Sequence, residues 1–119
     1  MEYRKEHPDR PQYVGVLDTA PVAFGEIIPQ DCGWPRLGRI LIGDPSVRGK
    51  GLGHRFVAAL VDECVRLYGV GAVDLNVWDE NIAARRCYEK VGFVFLQDEQ
   101  TVVHAFGRDF TIHRMVWKR

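Results

Sequence analysis

The chain has 119 residues, which is one domain of ordinary size and too little for two. Apolar residues make up 46% and charged residues 27%, which excludes disorder as the main state, because there is enough apolar side chain to offset the entropy of ordering. Lys plus Arg is 16 and Asp plus Glu is 16, a balance that leaves no overall field to draw in nucleic acid or an anionic membrane.

Met1 to Arg10 is charged and contains Pro8, so it is not the apolar core of a signal peptide, and Pro8 and Pro11 bound an irregular start. Tyr13–Leu17 and Val22–Ile28 read as two short strands around an Asp18-Thr19-Ala20-Pro21 turn, a hairpin. Pro29 to Gly38 reads as loop, and Arg39–Gly43 as a short buried strand stopped by Asp44-Pro45. Leu52–Tyr68 is the clearest helix. Leu52, Phe56, Leu60, Cys64 and Leu67 form one stripe with Val57, Val61 and Val65 beside it, while His54, Arg55, Asp62 and Arg66 take the other side. Gly69 stands where a glycine ends a helix.

Val73–Trp78 alternates as a strand, and a second helix runs from Asp79 or Asn81 to Lys90, with Gly92 behind it. Thr101–Phe106 and Phe110–Trp117 close the chain as two strands around Gly107-Arg108-Asp109. The order β-β-β-α-β-α-β-β is that of a mixed α/β fold, a mostly antiparallel sheet with a central parallel β-α-β crossover, in a single domain spanning 1–119. The longest strictly apolar run, Phe56 to Val61, falls far short of the roughly 20 residues that cross a bilayer. Cys32, Cys64 and Cys87 are odd in number and widely spaced, with no Cys-x-x-Cys pair. The expectation is therefore neither a disulfide framework nor a zinc site, in a soluble, cytoplasmic protein.

The chemistry concentrates in Ile42-Gly43-Asp44-Pro45-Ser46-Val47-Arg48-Gly49-Lys50-Gly51-Leu52-Gly53, which runs from a strand into the long helix. Glycines let backbone approach a ligand closely, and the first amides of a helix lack intrahelical acceptors at the positive end of its dipole. Together they suit a phosphate or pyrophosphate. The Walker pattern fails, because five residues separate Gly43 from Gly49 and Gly51 replaces the hydroxyl that would hold magnesium. The dinucleotide pattern fails too, since His54 or Phe56 stands at its last glycine. Arg48-Gly49-Lys50-Gly51-Leu52-Gly53 does match Gln/Arg-x-x-Gly-x-Gly/Ala, and here the sequence resembles the GNAT superfamily of acetyl-CoA-dependent N-acetyltransferases.

Asn81 to Phe93 resembles the same family's second signature, Asn-x-x-Ala-x-x-x-Tyr-x-x-x-Gly-Phe, carried by Asn81, Ala84, Tyr88, Gly92 and Phe93. At about 100° per residue, Asn81 and Tyr88 fall within about 20° of one helix face, with small Ala84 between them. The resemblance extends from about Arg39 to the end. His104-Ala105-Phe106-Gly107-Arg108-Asp109-Phe110 and Leu75-Asn76-Val77-Trp78-Asp79-Glu80-Asn81 look like the branch containing acetyltransferases of ribosomal-protein amino termini and of spermidine.

The resemblance implies that Arg39–Gly43 and Val73–Trp78 splay apart and admit acetyl-CoA as cosubstrate, without a metal. Backbone of Leu41, Ile42 and Gly43 would hold the pantetheine and polarise the thioester carbonyl. Amides around Arg48, Gly49, Lys50, Gly51, Leu52, Gly53 and His54 would hold the pyrophosphate. Asn81 would bond the pantetheine arm past Ala84, and Tyr88 would protonate the departing thiolate as general acid. Cys87 is expected to point well away from Tyr88, which speaks against an acyl-cysteine.

Two departures from the family pattern stand out. Some relatives carry a Glu base on the strand before the second helix, where this chain has Asn76. Glu26, Asp44 and His104 remain as base candidates, read as surface or loop residues, and the base stays unassigned. A complete family domain also begins with another strand and two helices, whereas Met1 to Gly38 reads only as hairpin and loop. The acceptor cleft is then either open or completed by a second copy in a homodimer. The expected acceptor is a small-molecule amine or a protein or peptide amino group. The alternative is a CoA-binding module without transfer activity. A nucleic-acid reading through Arg48, Lys50, Arg55, Arg85 and Arg86 is weak, because Arg85 and Arg86 are more simply solvated helix residues.

Overall fold

The computed structural model describes residues 2–5, 11–30, 33–43 and 51–119. Among these residues, eight strands and two helices follow in the order β1 (Glu2–Lys5), β2 (Gln12–Leu17), β3 (Ala20–Ile28), β4 (Arg36–Ile42), α1 (Leu52–Tyr68), β5 (Ala72–Trp78), α2 (Ile82–Val91), β6 (Val94–Phe95), β7 (Thr101–Ala105) and β8 (Arg108–Lys118). They build one sheet in the order β1-β2-β3-β4-β5-β8-β6, with β7 also pairing β8. The β4–β5 pair is parallel and every other described pairing is antiparallel, so α1 is the crossover and the expected mixed sheet is present.

Both helices lie on one face. Phe56, Val57, Leu60, Val61 and Cys64 of α1 bury the predicted stripe against Ala23, Ile27, Val73, Leu75 and Val77 of the sheet, where Tyr88 of α2 and Phe93 join them. Each large apolar side chain buried this way contributes about 1.5–3 kcal/mol. Gly69 ends α1 in the left-handed conformation and donates its N–H to Val65 O, as its position in the sequence predicts. Among the described residues no helix is long and apolar enough to cross a membrane.

Besides the two-residue β6, absent from the sequence reading, the strands depart from it in four places. The first turn is only Asp18-Thr19, both at positive φ, because Ala20 and Pro21 already pair with Leu17 and Val16. The last turn is Phe106-Gly107 instead of Gly107 to Asp109, since Arg108 already pairs with Ala105. In both cases a two-residue turn with two positive φ angles matches the twist of its strands. Met1 to Arg10 is not wholly irregular: β1 adds an edge strand there, a place where charged residues are tolerated. β4 begins at Arg36, inside the segment expected to be loop. Gly38 leaves room in the strand for the Ile28 side chain, whose Cδ1 would lie 2.7 Å from a Cβ at that position.

Candidate active site

The site begins with a fault in the sheet. Between Phe24↔Leu41 and Glu26↔Gly38, two β4 residues, Arg39 and Ile40, stand opposite the single Gly25 of β3, and Arg39 takes φ 49°. Such a bulge bends its strand. β4 and β5 accordingly pair only at Arg36↔Asp74 and Leu37↔Leu75 and part beyond them. The expected splay is present, and its apex lies at the amino ends of the two strands.

Asp74 closes that apex. Its fully buried carboxylate accepts from Arg36 Nε at 3.0 Å and Arg36 Nη2 at 3.3 Å on β4, and from Arg114 Nε at 2.8 Å on β8. No motif marks Asp74, and only the fold brings its partners together. Glu26 supports the bulge. Expected at the surface, it is fully buried in β3, accepting from Gln12 Nε2 at 2.9 Å and lying 3.5 Å from Arg39 Nη1. A carboxylate is retained inside because cationic and amide donors reach it.

Above the apex a cleft of about 590 Å³ opens between the carboxyl end of β4, the head of α1 and one side of α2. Gly51 precedes α1 at φ 73°, a left-handed conformation that suits glycine, and the first bond back to it is Arg55 N to Gly51 O at 3.1 Å. The amides of Leu52, Gly53 and His54 therefore lack acceptors within the helix. Gly53 admits a close approach: a Cβ there would lie 3.4 Å from Ile42 Cγ1 and 3.6 Å from Cys87 Sγ, so side-chain bulk would project into the cleft.

Eight of the residues named from sequence line this one cleft: Leu41, Ile42, Gly51, Gly53, His54, Asn81, Ala84 and Tyr88. Leu52 does not line it; its side chain is buried with Val22 below the helix start. The Gly43 amide donates to Val22 O at 2.8 Å and so is not available to a ligand carbonyl. Arg48, Gly49, Lys50, Asp44 and Cys32 lie outside the described residues. Asn81 is the N-cap of α2: its Oδ1 accepts from Ala84 N at 3.2 Å, which leaves the amide NH₂ as a donor on the cleft wall.

Tyr88 is buried, and that burial, reinforced by the Cys87 thiol beside it, pushes its phenol up to about 12. It therefore keeps its proton at neutral pH. Cys87 lines the cleft too, because the cleft wraps far enough around α2 to meet both side chains. Burial pushes the Cys87 thiol up as well, against the opposing charge of Lys90, which makes it a poor nucleophile. His104 is exposed on the last hairpin, paired with Asp109 and off the cleft, and Asn76 is exposed on β5 opposite Arg114.

Sequence reasoning missed the cleft's basic wall. Arg85 and Arg86, read together as solvated, are separate cases. Arg85 is committed to Asp79, with Nη1 3.0 Å from its backbone O, and stacks over the Phe95 ring at 5.1 Å. Arg86 lines the cleft with Lys90, one turn further along α2.

A parallel pair parted over a cleft, with helix amides at its head, is the acyl-CoA N-acyltransferase fold. Solved structures agree: the ribosomal-protein-alanine N-acetyltransferase of Brucella melitensis superposes with TM-score 0.77 at 20% identity, over 93% of this chain and 70% of that one. The yncA protein of Salmonella typhimurium, solved with its cofactor acetyl-CoA, gives TM-score 0.77 at 20% identity over 92% and 65%. Residues 1–93 match the Acetyltransferase (GNAT) family, and the chain belongs to that family. By sequence, the spermine/spermidine N(1)-acetyltransferase of Bacillus subtilis (strain 168) is 36% identical over 52 residues, which is 44% of this chain and 34% of the relative. The match thus spans about a third of that relative's length.

Proposed function

We propose that the chain transfers an acetyl group from acetyl-CoA to a primary amine by direct attack, with Tyr88 as general acid. The observation that carries the reading is the convergence, on one cleft, of helix amides without intrahelical acceptors, parted strands and a buried, protonated phenol. The diphosphate would lie on the amides of Leu52, Gly53 and His54. The pantetheine would pass along Leu41 and Ile42, meeting the Asn81 NH₂ and crossing Ala84. The amine nitrogen then bonds to the thioester carbonyl carbon and the C–S bond breaks. Sulfur departs with its electron pair and takes the Tyr88 proton; the amine releases one proton to water, and water restores Tyr88. The Bacillus relative's name makes spermidine and spermine the first acceptors to try, with peptide amino termini next.

Thiol release from acetyl-CoA with those amines is the test, and Tyr88→Phe should lower kcat on the order of a hundredfold while leaving CoA affinity intact. A second reading, a CoA-binding module without transfer, draws support from the base candidates. Glu26 is engaged by Gln12 and Arg39, His104 lies off the cleft, and Asn76 cannot accept a proton. It predicts CoA binding, no turnover with any amine, and no effect of Tyr88→Phe.

A further inference from the structure

We propose that Arg86 and Lys90 form a second anion subsite on the α2 wall of the cleft, which takes the ribose 3′-phosphate of coenzyme A, so that the site prefers CoA to dephospho-CoA. The inference rests on the coenzyme A reading above and adds a specificity element to it. Coenzyme A carries two separate anions, a diphosphate and a 3′-phosphate. The head of α1 offers backbone amides to one of them. A second fixed charge needs a second partner, preferably a side-chain cation, since charge-assisted bonds to phosphate are about twice as strong as neutral ones.

The cleft supplies that partner in an otherwise neutral chain. Lys plus Arg equals Asp plus Glu over the whole sequence, yet the described lining contains Arg86, Lys90 and His54 and no carboxylate. Arg86 and Lys90 are four residues apart on α2, so their Cβ atoms lie about 5–6 Å from each other on one face, a spacing that brackets a single phosphate. Both are exposed, and neither is ion-paired among the described residues, in contrast to Arg85 next door, which lies 3.6 Å from the Asp79 carboxylate. Ala83 continues the same face toward the start of α2 and adds no bulk. Among the described residues no carboxylate pairs with either cation; Lys90, in the last turn of α2, also suits the negative end of the helix dipole, which leaves Arg86 without a use to the fold in view.

Calorimetric titration of the full chain with CoA and with dephospho-CoA tests the inference, in parallel with Arg86→Gln, Lys90→Gln and the double variant. Both positions are exposed and pair with no carboxylate among the described residues, so the variants should stay folded with melting little changed, which a melting curve checks. CoA should bind roughly tenfold more tightly than dephospho-CoA, and the double variant should lose that preference while keeping its affinity for dephospho-CoA. The preference should also shrink as salt rises. Equal affinity of the unmodified chain for the two ligands would overturn the inference, and so would a double variant that loses both ligands equally, which would assign the cations to the diphosphate. Binding of neither ligand would overturn the coenzyme A reading itself, and this inference with it.

Discussion

Asn81 caps α2 and, on the proposed reading, also holds the pantetheine, two jobs that substitution can separate. Its carbonyl oxygen caps α2 while its NH₂ is free to donate into the cleft. Asn81→Asp keeps an acceptor at the head of the helix, and a carboxylate suits the positive end of the dipole, so stability should hold. It has no donor, however, and should weaken CoA binding several-fold, whereas Asn81→Ala should weaken binding and also cost about 1 kcal/mol of stability. Urea unfolding beside calorimetry reads both effects; equal binding by the unmodified and Asp forms would remove Asn81 from the ligand. Gly53 should respond with opposite signs. Gly53→Ala meets only ordinary contacts and favours the helix by about 0.5–1 kcal/mol, so melting should rise by a few degrees. The added methyl points toward Ile42 and Cys87, so CoA should bind less tightly.

Among the elements, the parting of β4 from β5 depends on groups that no local pattern reveals. α1 was legible because an apolar stripe repeats over seventeen residues and a glycine follows it. The start of β4 was not, because Gly38 breaks the strand pattern for a reason that only its neighbour Ile28 explains. β6 is two residues long and carries no period. The pair Asn81 and Tyr88 could be placed on one face by helical spacing alone. Asp74 could not be found that way, since its partners Arg36 and Arg114 are 38 and 40 residues away. Removing its charge should be costly: Asp74→Asn leaves two guanidinium groups facing a neutral amide at the apex, and the expected loss is about 3 kcal/mol in urea unfolding. The strands should also lose their fixed angle, so CoA affinity should fall in the same variant. A small loss of stability with unchanged binding would show that the β-ladder alone sets the splay.

Across the whole molecule, the core that supports the cleft is sensitive to alkali. Cys64 is fully buried between α1 and the sheet, and burial pushes its thiol from about 9 up to about 12; Tyr88, in the same cluster, is likewise pushed up to about 12. Both groups are neutral when protonated and ionise sooner in the unfolded chain. Above pH 9 the unfolded state therefore binds fewer protons than the folded one, and stability must fall as pH rises. The Cys64 contribution is fully present below pH 9 and is lost between about 9 and 12, at about 1.4 kcal/mol per pH unit, with Tyr88 adding to the slope above 10. Urea midpoints at pH 8, 9.5 and 10.5 should decline progressively, and Cys64→Ala, although less stable at pH 8, should decline less steeply. Parallel slopes for the two proteins would mean that the thiol in the core ionises as readily folded as unfolded. Activity should follow the opposite trend over part of this range: a lysine-like acceptor amine sheds its proton near 10.4, so kcat/KM should rise with pH toward 10 while Tyr88 stays protonated. On the proposed reading, the alkaline limit of activity is then set by loss of the fold instead of loss of the Tyr88 proton.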